Sequence, residues 1–245
     1  MKMSDSNMIL TIDDLNVFYG DFQALFDVSM KFAKGKVTSI IGSNGSGKTT
    51  LLNTIMGINK PASGTIALDG KDIASMPTSG IVACGVTMSP EGSSIFDDMT
   101  IKENLLMGAY LPHVRKRRFE LLEKAYTLFP GLREKSGQLA SLLSGGQRQM
   151  LSIAKAIMTD PRVLICDEIS LGLAPVIIKD IYKRIKEINS EGVTVILVEQ
   201  EVKRSLKNSD YSYIMVKGKV VMEGASRELP EDAVNNAYFG INEYA

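Results

Sequence analysis

Gly42-Ser43-Asn44-Gly45-Ser46-Gly47-Lys48-Thr49-Thr50 fits the spacing G-x-x-x-x-G-K-[ST], and the physics behind that spacing is specific. Glycines let the backbone curl until successive N–H groups converge on one side, where they meet phosphate oxygens. Lys48 adds a point charge suited to β- and γ-phosphates, and Thr49 a hydroxyl suited to Mg²⁺. The flanks agree. Val37-Thr38-Ser39-Ile40-Ile41 reads as a buried strand, and Thr50 to Met56 as a helix whose N-terminus favours an anion.

At 245 residues the chain has room for one sizeable α/β core with a small second lobe, or for two modest domains. Lys+Arg and Asp+Glu stand at 28 each, so no global field points to nucleic acid or to an anionic membrane surface. Membrane association is expected to go through a protein partner. No apolar run is long enough to span a bilayer, and Met1 to Asn7 lacks the apolar core of a signal peptide. A cytosolic protein is expected. Cys84 and Cys166, both in apolar segments, read as buried free thiols rather than as a disulfide or a metal site. The single histidine, His113, falls in a basic stretch and reads as a solvated surface residue.

Outward from the loop, Ile9 to Val17 and Ala24 to Phe32 carry strand patterns closed by the turns Tyr19-Gly20-Asp21 and Lys34-Gly35-Lys36. Pro61-Ala62-Ser63-Gly64 is a turn, Thr65 to Leu68 a short strand and Asp69-Gly70 a hairpin signal. Val82 to Met88 reads as a strand ending in the loop Ser89 to Ser94. Character then changes: Asn104–Leu111, Arg117–Phe129 and Gly145–Met158 show helical periodicity, with no convincing strand between about Gly92 and Ala156. This predicts a helical lobe inserted in an α/β core with a mainly parallel sheet. The core resumes with the strand Arg162 to Glu168 and a helix from Pro175 to about Asn189, apolar at Ile178, Ile181, Ile185 and Ile188. The strand Val193–Val198, a helix from about Gln200 to Lys207 and a hairpin about Lys217-Gly218-Lys219 complete it.

The strand Val163-Leu164-Ile165-Cys166 runs into Asp167-Glu168, two acids at a strand's carboxyl end, where ligands collect in open α/β sheets. Asp167 suits Mg²⁺ held together with Thr49, and Glu168 suits the orientation or deprotonation of an attacking water. Leu143-Ser144-Gly145-Gly146-Gln147 precedes a helix and makes a second anion cradle from two bare glycine amides and a serine.

With these three motifs in this order, the chain resembles the ATP-binding cassette of ABC transporters over essentially its whole length. Val163 to Glu168 then matches that family's Walker B motif, and Leu143 to Gln147 its signature motif. The resemblance implies one cassette over 1–245. Its P-loop NTPase (RecA-like) core would cover 1–91 and 157–245, with an N-terminal antiparallel β subdomain and a helical subdomain of about 92–156. It implies two ATP molecules sandwiched between two head-to-tail cassettes, with Leu143, Ser144, Gly145, Gly146 and Gln147 docking on the partner's nucleotide. Tyr19 would stack on adenine; the alternative for Tyr19 is a strand-end aromatic packed on the sheet.

Four positions depart from the common pattern. Glu91 stands where most cassettes have the glutamine that contacts Mg²⁺ and the membrane subunit, and Ile169 where proline follows the catalytic glutamate. Ala174 replaces the aspartate of the next loop, and Gln200 the switch histidine. Glu91 still offers a metal-ligating oxygen and Gln200 an amide donor for the γ-phosphate. Pro90-Glu91-Gly92, Ser170 to Pro175, Leu197-Val198-Glu199-Gln200 and Ala237-Tyr238-Phe239-Gly240 are similar to the ATPase subunits of branched-chain amino-acid importers, especially the second of that system's two; Ile169 is unusual even there. The expected function is ATP hydrolysis that powers solute uptake, with Lys48, Glu168 and Gln200 as catalytic residues, Thr49, Asp167 and Glu91 as Mg²⁺ ligands, and ATP on the loop Gly42 to Thr50. The expected partners are a second ATPase, identical or paralogous, two permeases and a solute-binding protein, on the cytoplasmic face of the membrane. Alternatives are an importer of urea or short amides, a soluble cassette ATPase of DNA repair or translation, and a regulatory ATP-binding module without turnover. The soluble class usually carries a second cassette or a long coiled coil, and the stretch from Lys48 to Ser144 leaves room only for a small lobe.

Overall fold

The computed structural model describes residues 7–92 and 94–239. The leading residues Met1 to Ser6, Ser93 in the loop after Met88, and Gly240 of the terminal motif lie outside the described residues. In chain order the elements are β1 (Met8–Tyr19), β2 (Phe22–Ala33), β3 (Val37–Ile41), α1 (Lys48–Ile55), β4 (Ser63–Leu68), β5 (Lys71–Asp72), α2 (Thr78–Ala83) and β6 (Val86–Ser89). Five helices follow: α3 (Ile101–Gly108), α4 (Pro112–Arg115), α5 (Arg118–Leu128), α6 (Pro130–Glu134) and α7 (Gly145–Ile157). The chain continues with β7 (Val163–Asp167), α8 (Pro175–Ser190), β8 (Thr194–Glu199), α9 (Val202–Asn208), β9 (Tyr211–Val216), β10 (Lys219–Ala225) and α10 (Glu231–Phe239). These elements fall into two compact units, one from the described residues up to 81 and from 194 on, the other from 82–193.

In the first unit, β1, β2, β4 and β5 make an antiparallel sheet in the order β2-β1-β4-β5, with Leu10 opposite both Phe32 and Leu68. The apolar positions Leu10, Ile12, Leu15 and Val17 are fully buried, and the bulges between Ile12 and Val17 reset the alternation the sequence shows only roughly. Asp69-Gly70 forms the predicted two-residue turn, both residues at positive φ, and joins Leu68 to Lys71. Beside this sheet's strands in the same unit, β3 runs parallel to β8 and β9, with Ile40 in register with Val198 and Tyr213. Every residue of β3 and β8 is buried, the signature of parallel strands covered on both faces. Ile41, Val202, Ile214 and Val234 form one apolar cluster that ties the end of β3 to α9 and α10.

In the second unit, β6 pairs in parallel with β7, Val86 beside Val163 and Ser89 beside Cys166. Buried hydroxyl pairs, Ser89 with Ser152 at 2.9 Å and Thr87 with Thr159 at 2.7 Å, fasten β6 to α7 and the turn after it. The α8 face at Ile178, Ile181, Ile185 and Ile188 is buried as its spacing predicts. Among the described residues no helix is long and apolar enough to cross a membrane.

Where short apolar runs fit two periods, the structure departs from the sequence expectation. Val82 and Ala83 belong to α2, and the strand begins only at Val86, because Gly85 at φ 96 breaks the chain between them. Cys84, beside that break, is half-buried rather than buried, whereas Cys166 is buried; both are free of disulfides. The helix expected from Asn104 begins at Ile101, because Thr100 and Glu103 form a capping box. Gln200 precedes α9 rather than opening it, since the Glu201 carboxylate accepts from the Arg204 amide and sets the N-cap there.

Candidate functional site

The loop Gly42–Gly47 leaves β3 and enters α1 through two positions that only glycine fits, Gly42 and Gly47. A Cβ on Gly42 would sit 2.4 Å from the Ser46 Oγ and 2.6 Å from the Met215 carbonyl oxygen. One on Gly47, whose φ is 102, would sit 2.9 Å from Leu25 Cδ2 and 3.2 Å from Gly218 Cα. Gly47 is the N-cap of α1 and supplies no side-chain acceptor, so the first-turn amides of α1 have no partner within the helix. The Ser46 hydroxyl is buried with no hydrogen-bond partner among the described residues. Lys48, only 4% exposed, folds its Nζ over the loop to donate to the carbonyls of Gly42 at 2.8 Å and Ser43 at 3.1 Å. A helix N-terminus without a side-chain cap, the buried Ser46 hydroxyl and a held ammonium make a cradle that fits phosphate oxygens. Thr49, next to Lys48, is exposed.

The same unit carries Tyr19 and Gln200. Tyr19 is 49% exposed at the end of β1, and its hydroxyl accepts from Asn59 Nδ2 at 2.7 Å and lies 3.5 Å from Thr50 Oγ1. Its hydroxyl is thus tethered to α1 while much of the side chain stays open. Gln200 lies half-buried between the end of β8 and the Glu201 N-cap.

In the second unit, β7 ends on Asp167, 6% exposed. Glu168 follows at φ 46, a left-handed conformation costing a non-glycine residue about 1–2 kcal/mol. Glu91 is exposed in the turn after β6. Ser144 caps α7: its Oγ accepts from the Gln147 amide at 3.4 Å, and Gln147 Oε1 accepts from the Ser144 amide at 3.1 Å. Leu143 is buried beside it. Gly146 packs against α8, where a Cβ would meet Ile177 Cγ2 at 2.5 Å, whereas one on Gly145 would only touch Leu173 at 3.7 Å. Among the described residues no three His, Cys, Asp or Glu side chains gather as a metal site.

The profile of the family described as ABC transporter matches residues 25–170. The chain belongs to the ABC transporter family. The high-affinity branched-chain amino acid transport ATP-binding protein BraG of Pseudomonas aeruginosa is 40% identical, over 95% of this chain and all of that protein. The corresponding LivG protein of Salmonella typhimurium is 31% identical, over 96% of this chain and 99% of that one. Among solved structures, an ABC transporter's ATP-binding cassette in its ADP conformation superposes with a TM-score of 0.80 at 31% identity, covering 95% of each chain.

Within this ABC ATPase, the structure gives physical settings for two departures from the family pattern. Ile169 is 1% exposed, so an aliphatic side chain fills its socket. Ala174 is the N-cap of α8 and provides no side-chain hydrogen bond. Two further positions bear on the site without having been singled out from sequence. Gly218, in the β9–β10 turn, donates its amide to the Ser46 carbonyl and accepts from the Phe26 amide, both at 2.9 Å; its Cβ would lie 2.2 Å from the Ala24 carbonyl. The turn thus splints the phosphate loop to β2. Asn104 is fully buried and holds the segment 96–100 after Glu91, accepting from the Phe96 amide and donating to the Phe96, Met99 and Thr100 carbonyls. Its signal in sequence is a polar residue on the apolar stripe of Ile101, Leu105 and Gly108.

Proposed function

We propose that this chain is the ATP-hydrolysing subunit of an importer for branched-chain amino acids, working in a pair of cassettes on the cytoplasmic face of the membrane. As an ABC ATPase it acts on ATP. The observation that carries the catalytic assignment is Glu168: a carboxylate kept in a costly left-handed backbone, directly after a buried aspartate at a strand end, is a residue the fold holds in place for chemistry. Glu168 orients the attacking water and takes its proton. Lys48, the Gly42 to Thr50 amides and the Ser46 hydroxyl neutralise charge on the β/γ-phosphates. Thr49, Asp167 and Glu91 would hold Mg²⁺, which adds positive charge against the phosphates. Gln200 donates its amide to the γ-phosphate, and Tyr19 presents its open ring to adenine.

In this reading the core is 1–91 with 157–245, and the helical subdomain is about 92–156. Its segment from Glu91 to Met99 passes closure of the two cassettes to the permeases, and a solute-binding protein delivers the substrate. Leu143 to Gln147 would close on the nucleotide of the second cassette, whether identical or paralogous. The likeness to BraG and LivG supports the amino-acid assignment.

Glu168→Gln is expected to abolish turnover and leave ATP binding intact. An unchanged hydrolysis rate overturns the assignment of the base. Deleting the gene should remove leucine and isoleucine uptake; loss of urea uptake with leucine uptake intact would assign the chain to a short-amide importer instead.

A further inference from the structure

Although acids and bases balance over the chain, the bases are not evenly placed. Arg115, Lys116, Arg117 and Arg118 are consecutive and form the corner between α4 and α5. Arg117 is neutralised by Glu120 at 2.6 Å and Asp160 at 2.7 Å. Arg115, Lys116 and Arg118 have no acidic partner among the described residues. With Tyr110, Pro112 and Phe119 they line an open cleft of about 530 Å³.

Two features mark this corner as unfinished within the chain. Arg118 is the first residue of α5, which has no side-chain N-cap, and a helix N-terminus disfavours a cation. Among the described residues, the Arg118 guanidinium sits over the Phe119 ring, 4.8 Å from its centroid. The two aromatic walls are also wet: Tyr110 is 52% and Phe119 58% exposed, and Met107 on the preceding helix is 46% exposed. Uncompensated cations and exposed rings at one corner are local costs that an external ligand relieves.

We propose that this cleft is a docking surface for anionic phospholipid headgroups. A small soluble anion needs enclosing donors, and this cleft is open, with Arg115 and Lys116 on exposed stems and Arg118 half-buried. A lipid surface needs no enclosure, because it presents many phosphates at once and each basic residue adds to the attraction. Aromatic rings and a thioether beside the cations suit the headgroup boundary, where one end of a side chain is apolar and the other wet. The surface would give the subunit a membrane contact of its own, where balanced total charge pointed only to contact through protein partners. The inference does not rest on the nucleotide reading, and its failure leaves that reading untouched.

The test is sedimentation of the full chain with vesicles of phosphatidylcholine, with and without phosphatidylglycerol. Binding is expected only to the anionic vesicles and is expected to fade in high salt. The variant Arg115→Gln/Lys116→Gln/Arg118→Gln should bind about a hundred-fold more weakly, as expected for three lost surface cations. It should keep its melting temperature and ATP hydrolysis. Lys116→Gln alone, at an exposed position, should lose roughly five-fold and serves if the triple variant does not fold. Equal binding to both vesicle types, or undiminished binding by the variants, overturns the proposal. So does displacement of the protein by millimolar inorganic phosphate, which would make the cleft a soluble-anion site. Retention on an acidic peptide without vesicle binding would assign the cleft to a protein segment and overturns it equally.

Discussion

Two helices of this chain begin at glycine-rich loops, and they begin in opposite ways. α1 starts from Gly47, in the left-handed region, with no side-chain cap. α7 starts from Ser144, in an extended conformation, with a reciprocal capping box through Gln147. The first helix therefore has no side chain of its own at its opening amides and keeps close by the Ser46 hydroxyl, buried with no partner among the described residues. The second satisfies its third-position amide from its own serine. The phosphate loop is a fold element completed by its ligand. The signature loop is complete as a helix start, and in the proposed reading its ligand would be brought to it.

The largest effect expected from this contrast is at Gly47. Alanine there must adopt φ 102 and place its methyl against Leu25 and the Gly218 backbone, a cost of at least about 1–2 kcal/mol from the dihedral alone. Gly47→Ala should lose nucleotide binding below detection in a fluorescent-ATP titration. Retained affinity would show that the loop does not need its left-handed turn, and the contrast with α7 would collapse.

The signature loop breaks differently, because its two glycines differ. Gly146→Ala is expected to cost about 1–3 kcal/mol of stability through overpacking on Ile177, and Ile177→Ala should recover part of it in the double variant. Gly145→Ala has room beside Leu173 and should leave the melting temperature unchanged while lowering turnover of assembled cassettes. If both glycines behaved alike, Gly146 would not be a packing residue and the loop would be purely a ligand cradle. A smaller effect is expected beyond both loops. Gln200→His should keep the single-turnover rate within about tenfold, or about 1.4 kcal/mol in the barrier, because an amide and an imidazole both donate to a phosphate oxygen. A larger change would make Gln200 more than a tolerated donor.

How much of this was legible follows from what each residue competes with. Val163 to Cys166 is a continuous apolar run, and Val37–Ile41 is β-branched or aliphatic at every position but Ser39; each leads into a motif, and nothing competes with a buried strand there. Val82 and Ala83 could satisfy either period, and Gly85 decided between them only through its backbone angle. The Thr100–Glu103 box was present as letters, T-x-x-E, yet the apolar periodicity after it drew the helix start to Asn104. Gly218 could not be read at all as a support of the phosphate loop, because the contact with Ser46 spans most of the chain. Glu168 was legible as an acid after a strand, whereas its left-handed backbone is a tertiary fact.

The smallest effect expected extends the comparison to a third helix start. α8 opens at Ala174, extended at φ −65 and ψ 145, with Pro175 in the first turn, no side-chain cap and no acid in that turn. It thus has the N-cap backbone of α7 without the side chain that makes α7 self-sufficient. Ala174→Asp supplies an acceptor for the second or third amide and a negative charge at the positive end of a 16-residue helix, and should stabilise by about 1 kcal/mol. The helix lowers the pKa of the introduced carboxylate relative to the unfolded chain. The gain is therefore present above the ordinary aspartate pKa of about 3.9 and lost as pH falls through the lowered value. Thermal melting at neutral pH and again in acid measures both halves. If the melting temperature does not rise, the bare N-cap is already satisfied by solvent. A rise accompanied by slower turnover would mean that alanine is kept at 174 to leave the loop after Glu168 loosely tied.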